Sequence, residues 1–585
     1  MDVLRSGSER RFGAAEIGSL CTYSALVTWL VFRHQPWTDE AQAWLIARDS
    51  SLGEIFLRRL HYEGTPGLWH LVLWVMCRLH ISYAGMHFLT AGIGILTVAF
   101  LLQFAPFPRW IRLTLPFIFG LVYQTAVTAR SYSLVAVLVF IICALLTGRR
   151  DRPVTLALFV GLLANCALVA AVMSAGFVAF YVVRKMTPGP PQGAAAEQAP
   201  RQRISGSRLA SAAGVLLVLW GAAIYTALPA PDAMFGTAAT IRTHPVIARA
   251  LGHLTGATVP TAPAVTGAAL QLPANPAKVG SWQVRAWNWM RANDPPRHVR
   301  HLLLRATIFL SICFYVISSS NLVAASLYLV LLVWLYARSQ LWAVLPLGFT
   351  LVTCYALGFM DHHAVLAQTA LVGTLWLACG TRPQHKPPQW ISRAFAAVIV
   401  LVIVEQIGWT ASAVRLGLKQ PFDGSSEAVA LIQSQAQGKR IDGFAPGSSA
   451  VEPYFRHIVY SNAVNSYWPW RSAANPDEHA AEAIGLRPDY ILLAAAFTGT
   501  AAPDNQILHV RPVGDEWNDP SLQRYILVHG YRQTHAFCGV QPAHFGYSVR
   551  VCDFIFEPAK PSPLLHLASP QHSDRQGNKS AAGGL

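Results

Sequence analysis

Long apolar runs separated by short polar breaks dominate the chain from about residue 17 to residue 410. Runs of about 18 or more apolar residues with almost no charge predict membrane-spanning helices, because a helix satisfies its backbone hydrogen bonds internally. The pattern predicts clear spans at Ile17 to Phe32, Ala84 to Ala105, Leu113 to Val127, Ser133 to Thr147, Leu209 to Leu228, Leu341 to Phe359, Val365 to Cys379 and Ala394 to Trp409.

Two further apolar regions are too long for one ordinary span. Val154 to Val183 carries Asn165 near its middle, which predicts two short spans. Leu302 to Tyr336 is interrupted by the polar run from Ser318 to Asn321. The pattern leaves three alternatives there: two spans, a single long tilted helix, or one segment that is re-entrant or incomplete.

After residue 411 the polar and apolar positions alternate as in a soluble protein. The pattern predicts a helix from Ser425 to Gln437 and strands at Arg440 to Phe444, Asp489 to Ala495 and Tyr547 to Phe556. The predicted fold is therefore a polytopic α-helical membrane domain at 1–410, a small soluble α/β domain at 411–560 and a disordered polar tail at 561–585.

Charge predicts which loops lie on which side. Only 13% of residues are charged against 53% hydrophobic, and the net charge is +16. Basic clusters lie at Arg5 to Arg11, Arg109 and Arg112, Arg149 to Arg152, Lys185 to Arg208, Arg338, and Arg382 to Arg393. The positive-inside rule places these in the cytoplasm, so the loops 33–67 and 229–300 and the C-terminal domain are expected outside. With two spans between 302 and 336, Arg338 would fall outside instead.

Because the basic residues flank apolar spans, they predict contact with anionic lipids and not with nucleic acid. Most cysteines lie in or beside apolar runs, as buried small hydrophobes do. Cys538 and Cys552 differ, since they flank a turn-rich stretch between strand-like runs. They are either a cross-strand disulfide, which an extracytoplasmic domain permits, or two free core thiols.

The first predicted external loop carries two adjacent acids, Asp39 and Glu40, directly after the first span. His61, Tyr62 and Glu63 follow about twenty residues later. A carboxylate at the membrane surface can take a proton from an acceptor hydroxyl while a lipid-borne leaving group stays in the bilayer. The plainer alternative is that both acids begin an interfacial helix, where they favour the helix dipole.

Two further polar groups are predicted on the same side of the membrane. Arg130 and Tyr132 lie at the hinge between two spans, where a guanidinium suits a phosphate but could equally snorkel to the interface. Asp361, His362 and His363 precede another span, and could contact a phosphate or metal, or simply cap a helix.

Together these motifs resemble the GT-C family of integral-membrane glycosyltransferases, above all the branch of protein O-mannosyltransferases and the lipid A aminoarabinose transferase. The matching features are Asp39-Glu40, the segment from His61 to Trp69, and Arg130-Ser131-Tyr132. The stretches from Asp39 to Trp44 and from Ala129 to Tyr132 look most like uncharacterised bacterial members of that branch. The resemblance covers roughly residues 17 to 410.

The resemblance implies inverting transfer of a sugar from a polyprenyl phosphate to an acceptor hydroxyl on the outer face of a bacterial inner membrane. Asp39 would be the general base, Glu40 would support it or orient the acceptor, and Arg130 and Tyr132 would hold the lipid phosphate. His61, Tyr62, Glu63, His362 and His363 are the other expected substrate contacts. Asp361 departs from the family, whose related bacterial members carry a basic residue there.

The implied partners are a polyprenyl-phosphate sugar, a glycan, lipid or protein acceptor, and membrane lipids. No cofactor is assigned, and a divalent metal is left open. The C-terminal domain is expected to assist acceptor or lipid binding. Two other classes compete: a transporter or flippase of lipid-linked glycans, which would more often show inverted repeats, and a non-catalytic scaffold. Glu40 or Glu63 competes with Asp39 as the base.

Overall fold

The computed structural model describes residues 12–148, 150–186, 205–230, 289, 296–357, 363–444, 446–463, 465–467, 487–498, 526, 528–542 and 548–559. The predicted tail at 561–585 and most of the loop 229–300 lie outside these residues. Asp361 and His362 also lie outside them.

Helices make up most of the described chain. In order they are α1 (Ala14–Val31), α2 (Thr38–Asp49), α3 (Leu52–Glu54), α4 (Leu60–Glu63), α5 (Leu68–Arg78), α6 (Tyr83–Phe104), α7 (Arg109–Thr114), α8 (Tyr132–Thr147), α9 (Pro153–Ala164), α10 (Leu168–Met186), α11 (Gly206–Ala227), α12 (Arg297–Ile317), α13 (Asn321–Ala337), α14 (Leu345–Leu357), α15 (Ala364–Gly380), α16 (Gln389–Lys419) and α17 (Ser425–Gln435).

Six helices in the described part of the chain are long and apolar enough to cross a membrane: α1, α6, α10, α11, α12 and α16. Shorter apolar helices, among them α8, α13 and α15, pack between them around the fully buried Trp376. The prediction of a polytopic α-helical membrane protein is confirmed at this level.

The two predicted interruptions are present. Asn165 ends α9, and α10 begins at Leu168, so the long run forms two short helices. The Asn165 amide stabilises the break by donating to the carbonyl oxygens of Gly161 and Leu219, both at 2.8 Å. The second run also forms two helices, α12 and α13, which meet at Ser318–Ser320 and exclude a single long helix.

The predicted span from Leu113 to Val127 is present as an apolar segment but is bent, so it forms either a broken span or a re-entrant loop. The segment consists of α7, a 3₁₀ turn at Leu115–Phe117 and a π-helix at Gly120–Val127, with a 53° bend between the two halves. Pro116 lacks the backbone N–H that a continuous α-helix needs. At Gly120 a β-carbon would lie 2.4 Å from Gln368 Oε1, so the segment packs closely against α15 and a larger residue would require the Gln368 side chain to move.

The last apolar helix is longer than predicted, since α16 runs from Gln389 to Lys419, past the expected boundary at residue 410. Its Glu405 carboxylate accepts a hydrogen bond from the Ser319 backbone N–H at 2.7 Å and another from the Ser318 hydroxyl. The carboxylate therefore satisfies polar groups at the break between α12 and α13.

Arg338 lies beside the end of α15. Its Nη2 donates to the Ala378 carbonyl at 2.9 Å, and Gln340 Nε2 donates to the Thr381 carbonyl at 3.1 Å. The end of α13 and the end of α15 therefore lie on one side of the bundle. This agrees with the expectation that Arg338 and the basic cluster after Thr381 share a compartment, although α12 and α13 are separate helices.

The C-terminal domain is built on a four-stranded sheet of order β1-β2-β4-β3. Its strands are β1 (Ile441–Phe444), β2 (Tyr490–Thr498), β3 (Tyr531–Pro542) and β4 (Ser548–Pro558). β1 and β2 are parallel and the other pairs antiparallel. Helix α17 packs its apolar side on one face of the sheet, which confirms a small α/β domain.

Cys538 on β3 and Cys552 on β4 lie opposite each other and form a disulfide, so the first of the two alternatives for this pair is confirmed. Strand β3 includes the strand-like run that was expected before the turn-rich stretch, although its bounds were not predicted. It lies at the edge of the sheet, and polar residues such as Gln533 and His535 obscure where it begins.

The C-terminal domain docks directly on the loop that follows α1 and contains α2. Gln35 Nε2 donates to Ser426 Oγ at 2.7 Å, and the Asp423 backbone N–H donates to Gln35 Oε1 at 3.2 Å. Farther along, Arg48 Nη1 donates to the Phe455 carbonyl at 2.8 Å. These contacts bracket α2, so the domain fixes the helix that carries Asp39 and Glu40.

Candidate active site

Helix α2 begins immediately after Trp37, and its first turn separates the two adjacent acids. Glu40 lies at the third position and accepts a hydrogen bond from the Trp37 backbone N–H at 3.1 Å, which forms a capping box. This contact turns Glu40 inward, where its side chain is fully buried. Asp39 lies one position earlier and keeps 34% of its side chain exposed.

Asp39 pairs with Arg130. Arg130 Nη1 lies 2.8 Å from Asp39 Oδ2, and the Arg130 side chain is 21% exposed. Arg130 belongs to the short turn between the π-helix and α8, so the ion pair joins the loop after α1 to the hinge between two apolar segments. The two groups singled out separately in the sequence are therefore direct neighbours.

Aromatic rings hold the guanidinium of Arg130 in place. Its central carbon lies 5.0 Å from the ring centre of Tyr132 and 5.7 Å from that of Trp37. Such cation–π contacts favour a fixed orientation of the planar group. Tyr132 and Trp37 thus frame the cation, and Asp39 faces it.

The surroundings of Arg130 are strongly charged. Burial alone would lower its pKa, but Tyr132 and the carboxylates of Asp39 and other nearby acids raise it above the usual value. Glu40 and Glu63 are the other two acids that act on Arg130. The guanidinium therefore stays charged, and it is available to a competing anion whenever Asp39 releases it.

Glu40 lies at the centre of a buried polar cluster. Its carboxylate accepts the Ala129 backbone N–H and lies 2.8 Å from His34 Nε2 and 3.6 Å from His87 Nδ1. Burial alone would raise the pKa of Glu40, but His34, His87 and the Ala129 N–H lower it below the usual value. Through Ala129, the ionised Glu40 fixes the backbone directly before Arg130.

Of the remaining residues expected to contact substrate, Glu63 lies near Arg130, whereas His61 and Tyr62 lie elsewhere. Glu63 Oε1 accepts a hydrogen bond from Gln42 Nε2 at 3.2 Å. His61 Nδ1 lies 2.7 Å from the Leu228 carbonyl oxygen, at the end of α11, and Tyr62 packs against Ala230. His61 and Tyr62 therefore contact the segment after α11.

Of the two adjacent histidines that were expected to contact substrate, the structure describes only His363. His363 lies immediately before α15. Burial, together with the smaller effect of the positive charge of Arg130, lowers the pKa of His363 to about 4. A neutral His363 close to Arg130 extends the polar surroundings of the ion pair, whereas His362 lies outside the described residues.

Three residues of this region were not singled out from the sequence: His34, His87 and Asp423. His34 follows α1, His87 lies on α6 in an apolar run, and Asp423 lies between α16 and α17. Asp423 is buried and acts electrostatically on both His34 and Glu40. His34 lies three residues before the Trp37-Thr38-Asp39-Glu40 segment, which was a signal for it, but only the fold brings in the other two.

The arrangement offers a partly exposed carboxylate beside a partly exposed guanidinium, on a frame of buried polar contacts. It can accept a proton and hold an anionic group within one small volume. Among the described residues, His34, Glu40 and His87 also place ligand atoms within 4.8 Å of one another, close enough to share a metal ion.

No family model, curated protein or solved structure matches this chain. The function is therefore argued from the chain's own residues.

Proposed function

We propose that the protein is a membrane glycosyltransferase that moves a sugar from a polyprenyl phosphate to an acceptor hydroxyl on the outer face of the membrane. The observation that carries the proposal is the partly exposed ion pair between Asp39 and Arg130. It supplies the two groups that this reaction needs, a base for the acceptor and a cation for the phosphate, at the end of apolar helices.

The reaction needs no cofactor to balance. Asp39 takes the proton from the acceptor hydroxyl as that oxygen attacks the anomeric carbon from the face opposite the phosphate. The bond between the anomeric carbon and the phosphate oxygen breaks, and the polyprenyl phosphate leaves with the electron pair. Displacement from the opposite face inverts the anomeric configuration.

The ion pair also couples donor binding to the chemistry. Without substrate, Arg130 is the partner of Asp39 at 2.8 Å. A lipid phosphate that binds Arg130 competes for the same guanidinium, since a planar fork suits phosphate as well as carboxylate. Asp39 then loses its partner and becomes a better base only when a donor is present.

The rest of the site supports these roles. Tyr132 and Trp37 keep the guanidinium in position. Glu40 holds the turn before Arg130 through the Ala129 N–H, which fits a positioning role better than direct contact with an acceptor, because its side chain is fully buried. Glu63 and His363 are left to shape the polar surroundings where donor and acceptor meet.

The test is donor consumption by the full-length protein in liposomes. Polyprenyl-phosphate sugars carrying a radiolabel are supplied with a glycan and lipid extract as acceptor, and release of polyprenyl phosphate is measured. Asp39→Asn is expected to lower turnover about 10²–10⁴-fold, the usual worth of general-base assistance. Arg130→Ala is expected to weaken binding of polyprenyl phosphate as well as turnover.

An ion pair away from the docked domain offers a control. Lys185, in the last turn of α10, pairs with Asp151, which precedes α9. Asp151→Asn and Lys185→Ala should leave donor consumption within a few-fold of the native rate. Near-normal turnover by Asp39→Asn, or an equal loss in Asp151→Asn, would show that Asp39 is not the base. Movement of intact donor across the bilayer without sugar transfer would identify a flippase instead.

A further inference from the structure

A compact group of metal-binding side chains lies behind the ion pair. His34 follows α1, Glu40 is in the first turn of α2, and His87 is on α6. Their ligand atoms all lie within 4.8 Å of one another. Three separate segments of the chain therefore converge on one point at the outer end of the proposed glycosyltransferase.

This group is closed to solvent. The side chains of His34, Glu40 and His87 are 1%, 0% and 5% exposed. A carboxylate and two imidazoles in so buried a place need partners, because unpaired polar groups are costly there. Backbone groups supply some: Trp37 and Ala129 donate to Glu40, and the Val127 carbonyl lies 3.4 Å from His87 Nδ1.

The ring nitrogens nearest Glu40 are His34 Nε2 and His87 Nδ1, and these would bind an ion. The other nitrogen of each ring, His34 Nδ1 and His87 Nε2, is buried without a hydrogen-bond partner, so packing alone orients the rings. The donor set of two imidazoles and one carboxylate is one of the usual protein sets for Zn²⁺ and related divalent ions.

The spacing also fits a metal. A tetrahedral zinc site with metal–ligand bonds of about 2.0–2.1 Å places neighbouring ligand atoms roughly 3.4 Å apart. From one carboxylate oxygen, Glu40 Oε1, the distances are 3.1 Å to His34 Nε2 and 3.6 Å to His87 Nδ1, on either side of that value.

We propose that His34, Glu40 and His87 bind one divalent transition-metal ion, zinc or an ion of similar preference, with a water molecule completing four-coordination. The bound ion ties the segment after α1, the start of α2 and the outer end of α6 together. Because Glu40 also holds the Ala129 N–H, the ion secures the turn that carries Arg130. The role is structural, since the group is buried away from the exposed Asp39 carboxylate.

The alternative is a metal-free network in which His34 and His87 simply flank the Glu40 carboxylate. The metal site and the metal-free network predict different metal contents for the purified protein. Measuring the metal content does not depend on any activity of the protein. The proposal can therefore stand or fall separately from the proposed sugar transfer.

The test uses full-length protein purified in detergent, with the affinity tag removed. Metal content is measured by mass spectrometry after dialysis into metal-free buffer. The protein is then stripped with a chelator and titrated with Zn²⁺, and with Co²⁺, whose visible absorption reports tetrahedral coordination. About one ion per chain is expected, with a rise in the thermal unfolding temperature when Zn²⁺ is restored.

His70 provides a matched control. It is buried on α5, and both of its ring nitrogens lack hydrogen-bond partners, but it lies outside the group. His70→Asn should keep the ion and the thermal shift, whereas His87→Asn and His34→Asn should lose both. If the native protein binds neither ion at about one per chain, or if His70→Asn loses the ion as His87→Asn does, the proposal is wrong. The native thermal shift decides the matter even if a variant fails to fold.

Discussion

Glu452 makes the stability of the C-terminal domain depend on pH. It lies in a 3₁₀ turn at Glu452–Tyr454, is 1% exposed, and accepts the Val459 backbone N–H at 3.1 Å. Burial is the largest influence and raises the pKa of Glu452 from 4.5 to about 7, against the opposing effect of the hydrogen bond. The folded domain thus holds this proton more tightly than the unfolded chain does.

The direction and the magnitude of the pH dependence of stability follow from this difference in pKa. Below pH 4.5, Glu452 is protonated in both the folded and the unfolded state and does not lower the free energy of unfolding. Between pH 4.5 and about 7 the unfolded chain loses its proton first, so the free energy of unfolding falls as the pH rises. At about 1.4 kcal/mol per pH unit, the gap corresponds to about 3 kcal/mol. Asp423 and Asp442, whose pKa values burial raises to about 6, add to the same trend.

The perturbation is Glu452→Gln, which keeps the shape and the acceptor oxygen but removes the charge. Thermal unfolding of the full chain in detergent is followed from pH 4.5 to 8.5. At pH 8 the variant should unfold several degrees above the native protein, since 1 kcal/mol is worth about 2–4 °C for a domain of this size. At pH 4.5 the two should coincide.

Glu557→Gln is the control, because Glu557 is a partly exposed acid on β4 of the same domain. Because Glu557→Gln leaves Glu452 in place, this variant should still lose stability as the pH rises from 4.5 to about 7. Parallel profiles for Glu452→Gln and the native protein would refute the reasoning, because they would mean that Glu452 holds its proton equally in the folded and unfolded states.

Two further predictions concern the disulfide and the topology. Replacing both Cys538 and Cys552 by serine should destabilise the C-terminal domain by about 3 kcal/mol, since the bond closes a loop with a sequence separation of 14; an unchanged unfolding temperature in native and variant protein would contradict this. For the topology, single cysteines are introduced at Ala195, in the loop expected in the cytoplasm, and at Ser573, after the C-terminal domain. The two cysteines should react with a membrane-impermeant maleimide from opposite sides of the membrane. Labelling of both from the same side would overturn the topology.

The apolar pattern predicted most helices because membrane spans are encoded locally. The breaks at Asn165 and at Ser318–Ser320 were visible since a polar residue is costly inside a continuous membrane span and therefore marks its end. The bend between α7 and the π-helix was not anticipated. Pro116 interrupts the helical hydrogen bonding there, and the close packing of Gly120 against Gln368 involves a helix that lies far along the chain.

Some residues of the candidate site could likewise be predicted from the sequence, and others could not. Asp39 and Arg130 could be selected from the sequence because each is a charge beside an apolar span, and charges there are uncommon. His34 and His87 could not be connected, since the group forms only when α6 packs beside α1 and α2. The burial of Glu40 was equally hidden, because Asp39 and Glu40 are adjacent in sequence and only the helix start separates their directions.

The docking of the C-terminal domain on the loop after α1 has a consequence for biogenesis. Gln35 bonds to a residue 391 positions later, Arg48 to one 407 later and Asp49 to one 417 later. At about 5–20 residues per second, a ribosome needs roughly 20–80 s to make the partner of a loop it has already released. Helix α2 must therefore wait at the membrane surface for the end of translation, so a chain truncated before residue 420 would insert its spans and still lack a supported Asp39.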